Sequence, residues 1–287
     1  MNGTGYNPAF INLGVGFAPQ GIVVTPDNLT LYWSDNNSNA SLSGIYSRAV
    51  SGGTPTRIVA LPLGSTATGM AIDSAGQKLY WTNSTADTIS RVNIDGNPLN
   101  VEVLVSTSNV PEISNPFGLT LDVPAGKMFW TDQTTDFIHS ANLDGSMPAT
   151  VFNTRDLNGG AGTNPRGLAT TGGKLYWVDS TTDKLYSVNQ NGSSPATVLN
   201  LLSIPSQASA STANGLTIAN NKLLWTDASS TEGVYSANID GSNAGLLFAT
   251  TASGTPVGIT AVPDPSSLHL LTLASGLGGV LVWWKRR

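Results

Sequence analysis

Cysteine is absent from the 287 residues, so the chain has no disulfide, thiolate metal site or thiol nucleophile, and its core and hydrogen bonds alone must hold it. Charge is scarce as well: only 11% of residues are Asp, Glu, Lys or Arg. Amphipathic helices need charged outer faces. With 31 glycines and abundant Ser, Thr and Asn, the composition points instead to short strands joined by tight polar turns. Histidine occurs twice and glutamate three times, as Glu102, Glu112 and Glu232. No histidine cluster suits zinc, and neither a Gly-x-Ser-x-Gly elbow nor a phosphate loop is present. Basic residues number 13 against 18 acidic, and three of the basic ones close the C-terminus. The body is therefore more acidic than the net charge of −5 suggests, which disfavours nucleic acid as a partner. Residues 1–20 carry neither the basic nor the apolar segment of a secretory signal.

What is present is a repeat, and repeats decide a fold before any other signal. Leu31-Tyr32-Trp33-Ser34-Asp35, Leu79-Tyr80-Trp81-Thr82-Asn83, Met128-Phe129-Trp130-Thr131-Asp132, Leu175-Tyr176-Trp177-Val178-Asp179 and Leu223-Leu224-Trp225-Thr226-Asp227 place their tryptophans 48, 49, 47 and 48 residues apart. About a dozen residues before each Trp comes a glycine with an apolar alternation, at Gly21, Gly69, Gly118, Gly167 and Gly215. After each Trp a second alternating segment follows, closed in three copies by Asp95-Gly96, Asp144-Gly145 or Asp240-Gly241, the dipeptide of tight hairpins. A last strand, as in Thr150-Val151-Phe152, completes four strands per unit. Such a unit is a propeller blade. A chain of this length can form one all-β domain.

These residues resemble the YWTD repeat of low-density-lipoprotein-receptor-type β-propellers over residues 16 to 262. The resemblance implies a ring in which Trp33, Trp81, Trp130, Trp177 and Trp225 pack between blades and Asp35, Asp132, Asp179 and Asp227 make hydrogen bonds that stitch neighbouring blades. Asn83, Val178 and Leu224 depart from the motif, so their blades are expected to be tied less tightly.

The ends are less regular. Val262-Pro263-Asp264-Pro265 leads into an apolar run over 268–284 that ends in Lys285-Arg286-Arg287. Seventeen residues barely cross a bilayer of ~30 Å, and the basic end would stay in the cytoplasm. This segment resembles the PEP-CTERM sorting signal of Gram-negative bacteria, with Asp264 in place of Glu. The resemblance implies processing by an exosortase-type membrane enzyme, transient membrane insertion through 268–284, and delivery to the cell envelope or its polysaccharide matrix. The competing reading makes 268–284 two strands of a sixth blade. Residues near 9–13 match an outermost strand and Pro256–Val262 an innermost one, so the chain is expected to begin in mid-blade and to lack an upstream segment. The expected architecture is all-β: a propeller over 1–262 with five complete four-stranded blades and a split or incomplete sixth, then a sorting segment over 263–287 with an apolar helix.

Few residues suggest chemistry. His139 could act as a base or ligand, but its slot holds Tyr46, Ser90, Tyr186 and Tyr235 in other blades, which reads as a strand-face position. Asp73 and Asp122 on inner strands, with the motif aspartates, allow a weakly bound calcium ion on the ring axis or plain loop hydrogen bonds. The Ser/Thr/Asn-rich insertions at 34–43, 106–115, 153–164 and 203–214 are either binding surfaces on a rigid scaffold or solvated linkers. The leading function is a non-catalytic cell-surface or matrix-associated adhesion module that engages a protein or polysaccharide. The alternative is a gluconolactonase-like, calcium-dependent propeller hydrolase.

Overall fold

A computed structural model describes residues 6–12, 18–39, 41–94, 100–205, 211–229, 232–249, 255–262, 269–275 and 279–285. Five blades are built from consecutive antiparallel strands. The first comprises β2 (Pro19–Val24), β3 (Thr30–Asp35), β4 (Gly44–Ala49) and β5 (Thr56–Ala60). The second runs through β6 (Ala67–Asp73), β7 (Lys78–Asn83), β8 (Thr88–Asn93) and β9 (Glu102–Val105). The third has β10 (Pro116–Asp122), β11 (Lys127–Asp132), β12 (Phe137–Asn142) and β13 (Ala149–Asn153). The fourth has β14 (Pro165–Thr171), β15 (Lys174–Asp179), β16 (Lys184–Asn189) and β17 (Ala196–Asn200). The fifth has β18 (Ala213–Ala219), β19 (Lys222–Asp227), β20 (Gly233–Asn238) and β21 (Gly245–Ala249).

The inner strands β2, β6, β10, β14 and β18 stand side by side around one axis. They approach closely because each carries the repeat glycine there. A Cβ on Gly118 would lie 2.3 Å from the Arg166 carbonyl oxygen, and one on Gly69 2.3 Å from that of Phe117. The core lies between blades rather than within them. Trp130 shares a cluster with Tyr80 and Ile89 of the preceding blade, and Trp177 with Phe129 and Ile138. All five repeat tryptophans are buried, at 0–2% exposure.

At the ends the structure departs from expectation. The segment read as an apolar helix runs as two strands, β23 (His269–Ser275) and β24 (Gly279–Lys285), between β22 (Thr255–Val262) and β1 (Tyr6–Asn12). The order is β1-β24-β23-β22, and β22 abuts both β18 and β2. The two fragments expected to stay unpaired are thus joined through the tail. The physical reason is backbone satisfaction: β22 and β1 otherwise present open edges, and each tail strand has seven residues to meet them. Among the described residues no helix is long and apolar enough to cross a membrane. Pro263, Asp264, Pro265, Arg286 and Arg287 lie outside the described residues.

Register shows how far this sixth sheet departs from the others. Opposite Gly258 and Ile259, the positions held elsewhere by motif Thr and Trp are taken by Leu273 and Thr272, and the Asp position by Ala274. In the third strand Trp284 takes the position of Asn93, Asn142, Asn189 and Asn238, and Trp283 that of Val92, Ala141, Val188 and Ala237. None of the motif side chains that hold five blades recurs in the sixth.

Candidate functional site

Two motif residues divide the labour of holding blades together. The Thr or Ser before the Asp joins adjacent inner strands: Thr131 Oγ1 accepts from Gly118 N–H at 2.8 Å and donates to the Arg166 carbonyl at 2.8 Å. Thr82 does the same with Gly69 and Phe117, and Ser34 with Gly21 and Ala67. Val178 can do neither in the fourth blade. The Asp holds the linker between blades together with an Asp of the preceding blade, four residues beyond that blade's own motif position. Asp132 and Asp87 accept from the consecutive amides of Ser114 and Asn115, Asp179 and Asp136 from Asn164 and Thr163, and Asp227 and Asp183 from Thr212 and Ser211. Each of these three linkers is therefore gripped by one carboxylate from each neighbouring blade. Asp87, Asp136 and Asp183 sit at positive φ, which Asp tolerates better than most residues. Sequence reasoning missed them, although the spacing Asp132-x-x-x-Asp136 is written in the chain. Asn83, which replaces the carboxylate in one blade, accepts three amides at 3.1–3.4 Å. In the first blade Asp35 accepts from Ala18 and Asn37, and burial pushes its carboxyl up to about 6 against those two donors.

The other candidate residues make contacts within the fold. His139 is buried, stacks on Trp130 at 5.4 Å, and reaches Thr150 Oγ1 through Nδ1 at 3.3 Å. Desolvation lowers its pKa. Asp73 caps the Gly76 amide, and Asp122 accepts from Ala125 N–H and from Gln190 Nε2. No group of three or more carboxylate, His or Cys side chains able to hold a metal occurs among the described residues. Of the insertions, 106–115 buries Val110 and Ile113, and 153–164 contains a short 3-10 turn over Thr154–Asn158, so both are packed elements.

One position breaks the repeat in every blade. The residue just before the ring glycine is Gln20, Thr68, Phe117, Arg166, Asn214 and, in β22, Val257. Glycine, Trp and the hydroxyl–carboxylate pair serve the scaffold and recur, whereas this position is free to differ. It lies where the linkers enter the inner strands. Gln20, Thr68, Phe117 and Asn214 line a cavity on the axis of about 70 Å³, with the ring glycines beside them. Arg166 holds the same position, its guanidinium 5.7 Å from the Phe117 ring centroid. Its Nε is buried without a hydrogen-bond partner, and among the described residues no carboxylate forms an ion pair with it. Desolvation lowers its pKa, opposed by the more distant Asp179. Asn214, only 9% exposed, likewise has an unpartnered buried Oδ1. Buried polar atoms are nearly always satisfied in folded proteins, and these two open ones belong to residues at equivalent positions on the adjacent inner strands β14 and β18.

A family model described as low-density lipoprotein receptor repeat class B matches residues 77–123. The chain is a β-propeller built of YWTD-type repeats. Over 80 residues it is 39% identical to protein cueball of Drosophila sechellia, a match that takes in 26% of the chain and 12% of cueball's length. In three dimensions the propeller is similar to a chain of a nidogen/laminin complex, with 22% identity, a TM-score of 0.67 and coverage of 84% and 92% of the two chains. It is also similar to a gluconolactonase from Xanthomonas campestris, with 16% identity, a TM-score of 0.70 and coverage of 97% and 90%. Likeness at this identity shows the shared fold, and function must be argued from the site.

Proposed function

We propose that this propeller is a non-catalytic binding module that receives a group of its ligand at the axial mouth. The observation that carries the reading is the position before the ring glycine, which differs in every blade: Asn214 there lines an axial cavity with an unspent oxygen, and Arg166 on the adjacent inner strand has an unspent Nε–H. Hydrolysis of a lactone with calcium would need several convergent oxygen ligands, carboxylates among them. The polar residues lining the cavity are Gln20, Thr68 and Asn214, none of them a carboxylate. Glu102 is spent on Arg91 and Lys78 at the outer edge of the second blade. A gluconolactonase-like activity is therefore the weaker reading. The test is glucono-δ-lactone turnover by the purified chain with added calcium and with chelator. We expect no turnover in either; turnover that chelator abolishes would make the enzyme reading the better one.

For location, the proposal keeps the cell envelope or matrix of a Gram-negative bacterium, with 263–287 as sorting segment and an exosortase-type enzyme as processing partner. What favours it is the register of the sixth sheet, where Val282 and Trp284 occupy positions that elsewhere hold mostly Ser and Asn. A segment suited to a blade would not need an apolar run without alternation. The ligand at such a surface is a protein or polysaccharide component, and the acidic body argues against nucleic acid.

A further inference from the structure

Accepting the axial mouth as the binding site, the geometry points to a carboxylate as the group it receives, held by the Arg166 guanidinium, with a hydroxyl or N–H next to that carboxylate meeting Asn214. Arg166 and Asn214 stand at equivalent positions on the adjacent strands β14 and β18, whose backbones meet at Gly167: a Cβ there would lie 2.5 Å from the Asn214 carbonyl. The guanidinium is a planar fork of donors with no acceptor capacity, and it matches a carboxylate with two parallel bonds. A half-buried cation without a counter-ion has lost hydration and gained little in return. Its contact with the Phe117 face recovers part of that loss and fixes the plane of the fork. Asp179, whose charge acts on Arg166, forms no ion pair with it among the described residues, and its oxygens accept from the amides of Asn164, Thr181 and Thr182. The neighbouring Asn214 oxygen requires a donor, so a bare carboxylate satisfies half of the site and a carboxylate flanked by a hydroxyl or an amide satisfies all of it.

Size and charge narrow the class further. A cavity of about 70 Å³ admits the tip of a molecule and not a cofactor, for which sites of about 300–1,000 Å³ are usual. The chain's net charge of −5 repels a dense polyanion at long range, while a single carboxylate seated against one arginine is governed by local contact. Two sources carry this chemistry: a sugar acid, whose carboxylate adjoins hydroxyls, and an acidic residue of a partner chain, whose carboxylate adjoins a backbone N–H.

The experiment is a titration of the ¹⁵N-labelled full chain, following the Arg166 Nε–H resonance, assigned by its loss in Arg166→Lys. The probes are D-galacturonate and N-acetyl-L-aspartate α-N-methylamide, with D-galactose and N-acetyl-L-asparagine α-N-methylamide as neutral counterparts. The expected result is a saturable shift with one or both acids, at least about tenfold weaker with the neutral counterpart, the difference of roughly 1.4 kcal/mol that one lost charge-assisted contact represents. Whichever acid saturates at the lower concentration names the source. Arg166→Gln is expected to abolish the shift of the other mouth residues at unchanged melting temperature, and Asn214→Ala to weaken it severalfold. Should Arg166→Gln fail to fold, Arg166→Lys, which keeps the charge and loses the fork, is expected to weaken binding by about tenfold. Equal shifts from acid and neutral probes would overturn the carboxylate while leaving the mouth as a binding site. Shifts confined to residues away from the axis would overturn the mouth itself, and no shift with any probe would overturn the carboxylate inference.

Discussion

His139 stands where three other blades carry tyrosine, and the substitution leaves a trace in its surroundings. Tyr186 stacks on Trp177 and sends its hydroxyl to Thr182 Oγ1, four residues back; Tyr46 reaches the Leu42 carbonyl in the same way. His139 stacks on Trp130 but is too short to reach Thr135, the equivalent of Thr182, whose hydroxyl is buried without a partner. The histidine also brings a proton liability. Burial holds its native pKa below 6.5, so as pH falls through 6.5 the unfolded chain takes up a proton that the folded chain refuses. Stability is complete above 6.5 and is lost progressively as pH drops from there to the native pKa. His139→Tyr should add a hydrogen bond to Thr135 worth ~1 kcal/mol, raising Tm at pH 7 by about 2–4 °C. It should also flatten the decline of stability between pH 6.5 and 5, a difference that thermal melts at stepped pH will show. A parallel decline in both proteins would mean that His139 is charged in the native state.

At the scale of the strand, the hydroxyl of the motif does more to join blades than its carboxylate alone. Val178, fully buried, interrupts that link between the fourth and fifth blades, leaving Gly167 N–H and the Asn214 carbonyl without the bridging hydroxyl found in three other blades. Val178→Thr keeps the shape and restores both bonds. We expect a gain of ~1–2 kcal/mol in urea unfolding; a loss would mean that the fourth and fifth inner strands are spaced differently from the rest. Strands of this kind were legible from the chain because Gly, Trp and Asp serve the scaffold and must recur. The linker carboxylates Asp87, Asp136 and Asp183 were legible in principle, by their spacing, and were overlooked because they fall in turns where Asp is common. Arg166 and Asn214 were not legible. A search for sameness passes over a position that differs in every blade, and only coordinates show that Gln20, Thr68, Phe117 and Asn214 there line an axial cavity.

For the molecule as a whole, the open question in the physics is what holds the ring shut. Five blades are stitched by hydroxyls, linker carboxylates and inter-blade tryptophans, while the sixth sheet, paired in register, has Leu273, Thr272 and Ala274 at the three motif positions. Local and global preferences conflict there: an apolar run without alternation occupies strands whose counterparts alternate, and a sequence so placed contributes little to a single native state. As a helix the same 17 residues from Leu268 to Trp284 would span about 25 Å, close to the ~30 Å of a bilayer's apolar core. The sheet and the membrane then compete for one segment. Removing residues 264–287 should leave a cooperative melt, with Tm lowered by no more than about 4 °C, the shift that roughly 1 kcal/mol produces in a domain of this size. The full chain should float with vesicles of mixed neutral and anionic lipid, drawn by its apolar run and basic end, and the shortened one should stay in the dense fraction. If the shortened chain instead loses its cooperative transition, the tail strands are part of the core, and the sixth sheet is as necessary as the other five.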